Sequence, residues 1–231
     1  MPAQAQDVPP ADAVILRRTA LDCQIRPYGV TDQRLLARFL EVPRESFVPA
    51  GSEPLTYSDS ELRHPLAAGG ARAMVAPLVL ARMLQAAEIR PTDVALDVAG
   101  TAGYTAALVA GMAARVVAVE SDAALSAKAA HNFHALGLAN AESVCAPITD
   151  GVAGKGPYDV ILVNGAAEAG LDRLLAQLAP AGRLLVLKPQ TAGAARGVIY
   201  RRDGASFSQR ALFEAAGKLL PELARKPDFV F

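Results

Sequence analysis

The sequence predicts an α/β fold built on a mostly parallel β-sheet, because strand-like and helix-like segments alternate through the middle of the chain. Short apolar runs typical of buried strands fall at 93–98, 115–119, 141–146, 157–163 and 182–187. Helical patterns separate most of these runs, at 102–112, 122–136 and 168–178. Such alternation favours right-handed crossovers between parallel strands. Two later runs, 197–202 and 206–213, are joined by Asp203-Gly204 and predict an antiparallel hairpin.

Composition sets the broad class of protein. A chain of 231 residues that is 52% hydrophobic suits one sizeable α/β domain with a small N-terminal addition. Basic and acidic residues both number 23, so no strong basic field of the kind that binds nucleic acid is present. The sequence contains neither a signal-peptide core nor an apolar run long enough to cross a bilayer. We therefore expect a cytoplasmic protein without a nucleic-acid or membrane partner.

The two cysteines carry little information about function. Cys23 and Cys145 lie far apart in the sequence and have no metal-like spacing. They are also too few for a disulfide framework, so we expect both to be buried thiols and expect no metal site.

Ahead of the alternating region the sequence predicts a helical and loop segment. Residues 1–10 are rich in Pro and Ala, and we expect them to form a flexible tail. Helical apolar spacing follows at 12–26, and Thr31 is a plausible N-cap for a second helix over 31–40. These segments predict a cap domain over 11–75.

The end of this cap is predicted to be irregular. Residues 61–74 contain two adjacent glycines and predict a loop that can move. Pro77 suits the first turn of the next helix, which we expect to end near Ala87. The second domain is therefore predicted to cover 76–231.

The most informative stretch is 94–104, where a buried strand is predicted to enter a glycine turn and then a helix. Asp97 lies near the end of the strand, at the edge where open α/β sheets bind ligands. Gly100 and Gly103 allow a tight turn and a close approach of the backbone to a ligand. By itself this pattern also fits an ordinary strand-to-helix turn, because the Gly-x-Gly-x-x-Gly of dinucleotide folds is absent.

Two further acids follow the next two strands. Glu120 ends a strand about 20 residues after the turn, the distance at which such folds bind a ribose hydroxyl pair. Asp150 follows the third strand. Either acid alone fits a solvated loop residue. Three acids at one edge of a Rossmann-like sheet favour an adenosine-type cofactor.

Several segments outside the turn carry a resemblance to a known family. They are Gln24-Ile-Arg26, Val42-Pro-Arg-Glu-Ser-Phe-Val-Pro49, Tyr57-Ser-Asp59, Pro77-Leu-Val-Leu-Ala-Arg-Met83 and Pro157-Tyr-Asp-Val-Ile-Leu-Val163. Over about residues 20–231, the chain resembles the protein-L-isoaspartate O-methyltransferase family of class I S-adenosylmethionine (SAM) enzymes. The segment over 42–49 is distinctive of this family rather than of methyltransferases in general.

The resemblance implies a seven-stranded methyltransferase sheet with the antiparallel hairpin at one edge, and a SAM-binding domain over 76–231. SAM would lie across the carboxyl ends of the first strands. Asp97 matches the family acid near the methionine end, Glu120 the acid on the ribose hydroxyls, and Asp150 the acid near the adenine. The implied reaction esterifies a protein or peptide carboxylate, the α-carboxyl of L-isoaspartyl residues in damaged proteins.

Several positions depart from the family's pattern, among them Ala73, where the family has threonine, and Ala99, where it has the first glycine of the cofactor turn. Val75 stands where the family has its active-site serine, and a valine side chain cannot form a hydrogen bond. Thr101 replaces a glycine of the cofactor turn, and a β-branched residue resists positive φ and crowds a ligand. Thr149 replaces the first glycine of the family's Gly-Asp-Gly. We therefore expect weakened SAM binding and a rebuilt acceptor site, and we assign no catalytic side chain.

Arg72 is the candidate substrate-binding residue, because a guanidinium pairs with a carboxylate in bidentate fashion. A surface arginine is the alternative interpretation. His64, in the same predicted loop, is a weaker candidate for contacting substrate. His131 and His134 are predicted to be ordinary residues on a surface helix.

Two other functions stay open. One is a methyltransferase with a different carboxylate or a small molecule as acceptor. The other is a catalytically silent relative that binds SAM, its demethylated product or a protein partner. A nicotinamide dehydrogenase is disfavoured, because its glycine fingerprint is missing.

Overall fold

A seven-stranded sheet forms the centre of the protein in the computed structural model, which describes residues 10–191 and 194–225. The predicted flexible tail, 1–10, lies outside the described residues apart from Pro10, which begins the first helix. In chain order the strands are β1 (Leu62–Pro65), β2 (Ala71–Met74), β3 (Val94–Val98), β4 (Arg115–Glu120), β5 (Ala141–Cys145), β6 (Tyr158–Ala166), β7 (Leu178–Pro189), β8 (Ala194–Asp203) and β9 (Ser206–Ala216).

The strands of the large sheet lie in the order β5-β4-β3-β6-β7-β8-β9. The first five are parallel, and β7, β8 and β9 pair antiparallel in succession. The predicted α/β sheet with an antiparallel C-terminal hairpin at one edge is therefore confirmed.

Helices cover the sheet, and two hydrophobic clusters fill the space beneath them. The helices are α1 (Pro10–Ala20), α2 (Gln33–Glu41), α3 (Pro77–Ala87), α4 (Tyr104–Ala110), α5 (Ala123–Ala135) and α6 (Asp172–Leu175). Within β6, Val160 and Leu162 belong to one cluster, whereas Ile161 and Val163 belong to the other. Because alternate residues of a strand face opposite sides, the two clusters lie on the two faces of the sheet. Burial on both faces explains why the strands are continuous apolar runs in the sequence.

The segment predicted as an irregular loop, 61–74, contains the antiparallel hairpin of β1 and β2, so this prediction was wrong. Two adjacent glycines with φ of 90° and 81° lie at its turn. Five side chains of the hairpin are buried, Leu62 and His64 from β1 and Arg72, Ala73 and Met74 from β2. Two of these five are polar, so the sequence lacks the apolar alternation that signals a half-buried strand.

The N-terminal helices are confirmed, with a correction to one cap. α1 continues through a π-helical turn and a 3-10 turn to Tyr28, so helical backbone covers the predicted 12–26. The N-cap of α2 is Asp32 rather than Thr31. Its carboxylate accepts hydrogen bonds from two backbone N–H groups of the first turn, at 2.9 and 3.2 Å.

Two further predictions need correction. The helix expected over 168–178 is the single turn of α6, because residues before it have a left-handed glycine, Gly170 (φ 75°), and β7 begins at Leu178. Cys23 and Cys145 are both exposed rather than buried. Cys23 lies on a helical turn facing solvent, and Cys145 ends an edge strand of the sheet.

A buried arginine joins segments of the predicted cap to one another and contacts the helix that follows the glycine turn. Arg44 is 2% exposed and donates from Nε to the carbonyl oxygen of Thr56 at 2.9 Å and from Nη2 to that of Val75 at 3.5 Å. Its guanidinium lies 4.9 Å from the ring centroid of Tyr104, at the start of α4. Burial lowers the pKa of Arg44, so these contacts must replace the water that the charge has lost. The family-like segment 42–49 thus joins the cap to the helix that follows the glycine turn.

Replacing Arg44 by Leu should lower the free energy of unfolding by about 2–4 kcal/mol, because two inward-facing carbonyl groups lose their donor. Urea denaturation measures the change. Arg26→Leu is the control, since the Arg26 side chain is 44% exposed and, within the part of the chain that the structure describes, pairs with Asp22 alone on the surface. Its loss should change stability by less than about 0.5 kcal/mol. Equal losses in the two variants would contradict a special role for Arg44.

Candidate functional site

The turn between β3 and α4 has a left-handed backbone at three positions. They are Ala99 (φ 59°), Thr101 (φ 57°) and Gly103 (φ 92°). Only glycine adopts such φ values without strain, and each other residue costs roughly 1–3 kcal/mol there. Thr101 is 2% exposed, and its Oγ1 donates to the carbonyl oxygen of Gly100 at 2.7 Å. The chain therefore keeps the geometry of a glycine-rich turn with two residues that are not glycine.

Position 100 requires glycine because of a close contact with a side chain, and not because of its backbone φ. A Cβ at this position would lie 2.1 Å from Oδ2 of Asp97, far closer than two such atoms can approach. The turn therefore lies directly on the carboxyl group of Asp97, one residue before the end of β3.

Asp97 is completely buried beneath the turn. Its Oδ2 accepts from the backbone N–H of Ala106 at 3.2 Å, and its Oδ1 accepts from Nδ2 of Asn164. Burial raises the pKa of Asp97 to about 7, and the two hydrogen bonds offset part of this effect. Both carboxyl oxygens of Asp97 thus accept hydrogen bonds from other residues of the protein. Asp97 therefore supports the turn from its buried side.

Asn164, at the end of β6, is a site residue that sequence reasoning missed. It is 3% exposed, and its Nδ2 also donates to the carbonyl oxygen of Val98 at 2.9 Å. Its Oδ1 accepts from Oγ1 of Thr105 in α4 at 2.7 Å. Asn164 therefore joins the ends of β3 and β6 to the helix after the turn. A polar residue ending an apolar run, beside the strand of Asp97, was the available signal.

Glu120 ends β4 with one satisfied and one unsatisfied oxygen. Its Oε1 accepts from the backbone N–H groups of Ser121 at 2.9 Å and Asp122 at 3.3 Å, and from Nη2 of Arg72 at 3.1 Å. Its Oε2 is buried and has no hydrogen-bond partner within the described part of the chain. Buried polar atoms are normally paired, so this oxygen is available to a ligand donor.

Arg72 contacts acids rather than solvent. Besides Glu120, it donates to Oγ of Ser121 at 2.9 Å and to both carboxylate oxygens of Glu222 at 2.7 and 3.1 Å. Its Nε has no partner among residues 10–191 and 194–225. The surface-arginine interpretation is wrong, since Arg72 is 2% exposed. Binding of a substrate carboxylate by Arg72 stays a prediction. Ser121 and Glu222 were not found by sequence reasoning.

Asp150 lies at the surface near the end of β5. Its side chain is 44% exposed, and its Oδ1 accepts from Nη1 of Arg173 and from Oγ1 of Thr149. Gln177 fixes the turn, donating from Nε2 to the carbonyl oxygen of Asp150 at 2.7 Å. Asp150 is therefore accessible at the predicted edge, and its contact with an adenine stays a prediction.

Val75 and His64 lie on the cap side of the site. Val75 is 4% exposed and belongs to the larger hydrophobic cluster. His64 is 2% exposed, and its Nε2 lacks a partner in the described ranges. Burial, followed by the positive charge of Lys128, lowers the pKa of His64 to about 4, so the imidazole is neutral at physiological pH. His131 and His134 are exposed on α5, as predicted.

None of the helices within residues 10–191 and 194–225 combines the length and apolar character needed to cross a membrane.

Comparisons with known proteins identify the family to which the chain belongs. Residues 16–214 match the model of the family described as protein-L-isoaspartate(D-aspartate) O-methyltransferase (PCMT). A protein-L-isoaspartate O-methyltransferase from Koribacter versatilis is 37% identical over 170 residues, which are 74% of this chain and 75% of that protein.

Solved structures agree on the fold. A protein-L-isoaspartate O-methyltransferase structure superposes with a TM-score of 0.78 at 24% identity, covering 90% of this chain and 67% of that one. A Plasmodium falciparum structure assigned to the same activity, in complex with S-adenosyl-L-homocysteine, has a TM-score of 0.71 at 19% identity and covers 91% and 98%. From the family match and the curated relative, the chain belongs to the protein-L-isoaspartate(D-aspartate) O-methyltransferase family of SAM-dependent enzymes.

Proposed function

We propose that this chain transfers the methyl group of SAM to the α-carboxyl of L-isoaspartyl residues in damaged proteins. The buried Oε2 of Glu120, which has no partner in the described chain, carries the proposal. It lies at the carboxyl edge of the sheet, where parallel α/β folds bind ligands. A carboxylate oxygen accepts from a ribose hydroxyl. The residues at this edge therefore fit the cofactor that the family uses.

Each candidate residue has a distinct task in this proposal. Glu120 would bind the ribose hydroxyls, and Asp150 would lie near the adenine. The backbone from Gly100 to Gly103 would run along the methionine end. Asp97 would act as a positioning residue, because both of its oxygens hold the turn and the following helix.

The chemistry needs little acid–base help from the protein. When bound, SAM supplies a methyl group already activated by a positively charged sulfur. The acceptor carboxylate is already nucleophilic when ionised. The protein then has to place this carboxylate in line and exclude water, which together account for most of the acceleration.

The acceptor would meet the site from the cap domain over 11–75, and the domain over 76–231 would hold SAM. Arg72 keeps one donor, Nε, that has no partner among the described residues and is available to a substrate carboxylate. Val75 offers no hydrogen bond and is buried in the hydrophobic cluster. Because of this apolar contact, the second candidate function is methyl transfer to a different carboxylate or to a small molecule.

Glu120→Gln should weaken SAM binding by about ten- to a hundredfold, because a charge-assisted hydrogen bond to the ribose is lost. Isothermal titration calorimetry measures the dissociation constant. Asp172→Asn, at the start of the single-turn helix α6, is a control for loss of one surface charge. If Glu120→Gln binds SAM as tightly as wild type does, Glu120 does not hold the ribose.

Val75→Ser should raise methyl transfer to an isoaspartyl peptide by about tenfold or more, because it restores a hydroxyl that can bind the acceptor. The assay counts base-labile methyl ester. Val75→Ala is the matched control, since it removes the same methyl groups without adding the hydroxyl.

The pair of Val75 variants also separates the two candidate functions. Equal activity of the Ser and Ala variants, with SAM binding intact, would contradict the missing-hydroxyl explanation. Isoaspartyl transfer absent from wild type and from both variants would favour a different carboxylate acceptor.

The buried Asp97 should make stability depend on pH. Because its pKa rises from 3.8 in the unfolded chain to about 7 in the folded chain, the folded state binds more protons between these values. Wild-type stability relative to Asp97→Asn should therefore fall as pH rises from about 4 to about 7, then stay constant. Urea denaturation of both proteins at several pH values tests this. A difference that is constant over that range would contradict a raised pKa.

A further inference from the structure

A segment near the C-terminus lies across the end of β6, and we call residues 218–225 the strap. The backbone N–H of Ala166 donates to the carbonyl oxygen of Lys218 at 2.7 Å, and that of Leu220 donates to Ala166 at 2.9 Å. Two more N–H groups after β6 donate to the carbonyl oxygen of Leu223, at 2.9 and 3.1 Å. Leu220 and Leu223 are 3% and 0% exposed. The strap is therefore held at the same edge as the proposed cofactor site.

Glu222 links the strap to the β1–β2 hairpin. Its two carboxylate oxygens accept from Nη2 and Nη1 of Arg72, at 2.7 and 3.1 Å, in a bidentate pair. Its Oε1 also accepts from Oγ of Ser121, at 3.1 Å. Since Arg72 also donates to Glu120, one guanidinium joins the hairpin, the end of β4 and the strap.

This arrangement closes the proposed ribose position. The side chain of Glu120 is 3% exposed, that of Arg72 is 1% exposed, and that of Glu222 is 35% exposed. Glu222 thus covers the group from the solvent side. The Oε2 of Glu120 is buried from water, so a molecule as large as SAM cannot reach it without movement of the covering segments.

The turn is buried as well. Ala99 and Ala102 are 0% exposed and Thr101 is 2% exposed. In this closed arrangement the cofactor turn and the ribose acid are both out of contact with solvent. An opening step must therefore come before cofactor binding, and the ion pair between Glu222 and Arg72 is the contact that fastens the outermost segment.

We propose that the Glu222–Arg72 ion pair is a latch that holds the cofactor site closed, and that the strap releases Arg72 before SAM enters. The identity of the entering ligand rests on the proposed function. Release leaves Arg72 paired with Glu120, so no buried charge is left alone when the latch opens. The apparent affinity for the ligand is then the affinity of the open state multiplied by the fraction of molecules that are open.

The first test needs no cofactor. In Glu222→Gln, the amide hydrogens of Ala166 and Leu220 should exchange with deuterium about tenfold faster than in wild type, because the strap opens more often. Glu142→Gln is the matched control. Its side chain is 38% exposed and pairs with Lys155 and Arg115, away from the strap. Exchange at these amides that is unchanged in Glu222→Gln would overturn the latch.

The second test measures SAM association by stopped flow, through tyrosine fluorescence, since the chain has no tryptophan. The observed rate should level off at high SAM concentration, at the rate of opening. Glu222→Gln should raise this plateau by about tenfold, and Glu142→Gln should leave it unchanged. SAM binding to wild type and Glu222→Gln with one rate, linear in concentration, would overturn the latch.

Calorimetry separates failure of the latch from failure of the proposed function. If neither wild type nor Glu222→Gln binds SAM at millimolar concentration, the proposed function fails, whatever the exchange result. If only Glu222→Gln binds, the latch is supported. If both bind with equal affinity and equal rates, the latch alone is overturned.

Discussion

The edge of the sheet proposed to bind the cofactor depends on a carboxyl group that is buried beneath the turn and supports it. Asp97 accepts from α4 and from Asn164 at the end of β6, so it joins three elements at one point. Gly100 lies so close above it that no side chain fits between them. Burying a carboxyl group is unfavourable, and the raised pKa of Asp97 expresses that cost. In return, the hydrogen bonds of this buried carboxyl group fix the position of the turn.

The contacts around the turn explain how it tolerates two residues that are not glycine at left-handed positions. Thr101 takes φ of 57° despite its β-branch, since the surrounding structure determines the backbone path. Asn132 of α5 donates to the carbonyl oxygen of Ala102 at 2.9 Å, and Phe133 fills the space beside Gly103. The steric conflict expected at Thr101 is therefore accommodated as backbone strain, and the turn keeps the left-handed positions of a glycine-rich turn.

The sequence predicted the features that depend on residues close together in the chain. Apolar runs located the strands of the large sheet. Acids at the ends of these strands placed Asp97 and Glu120 at one edge, because parallel strands end together. Asn164 was missed because its role depends on a partner 67 residues away. Glu222 was missed because its partner Arg72 is 150 residues away. The hairpin was missed because two of its buried side chains, His64 and Arg72, are polar, so its strands lack the apolar alternation of a half-buried strand.

The proposed cofactor side and the proposed acceptor side of the site differ from the family's pattern to unequal extents. On the cofactor side, the acid at Glu120 and the form of the turn are both kept. On the acceptor side, Val75 stands where the family has a hydroxyl, and its apolar side chain packs in the cluster without adding a polar atom that would need a partner. Val75 directly follows the strand that carries Arg72, whose guanidinium holds Glu120. Any movement of Arg72 would therefore be passed along the hairpin to Val75. In the proposed function, acceptor choice and cofactor binding would then be coupled through this short hairpin, and a substitution in it would act on both.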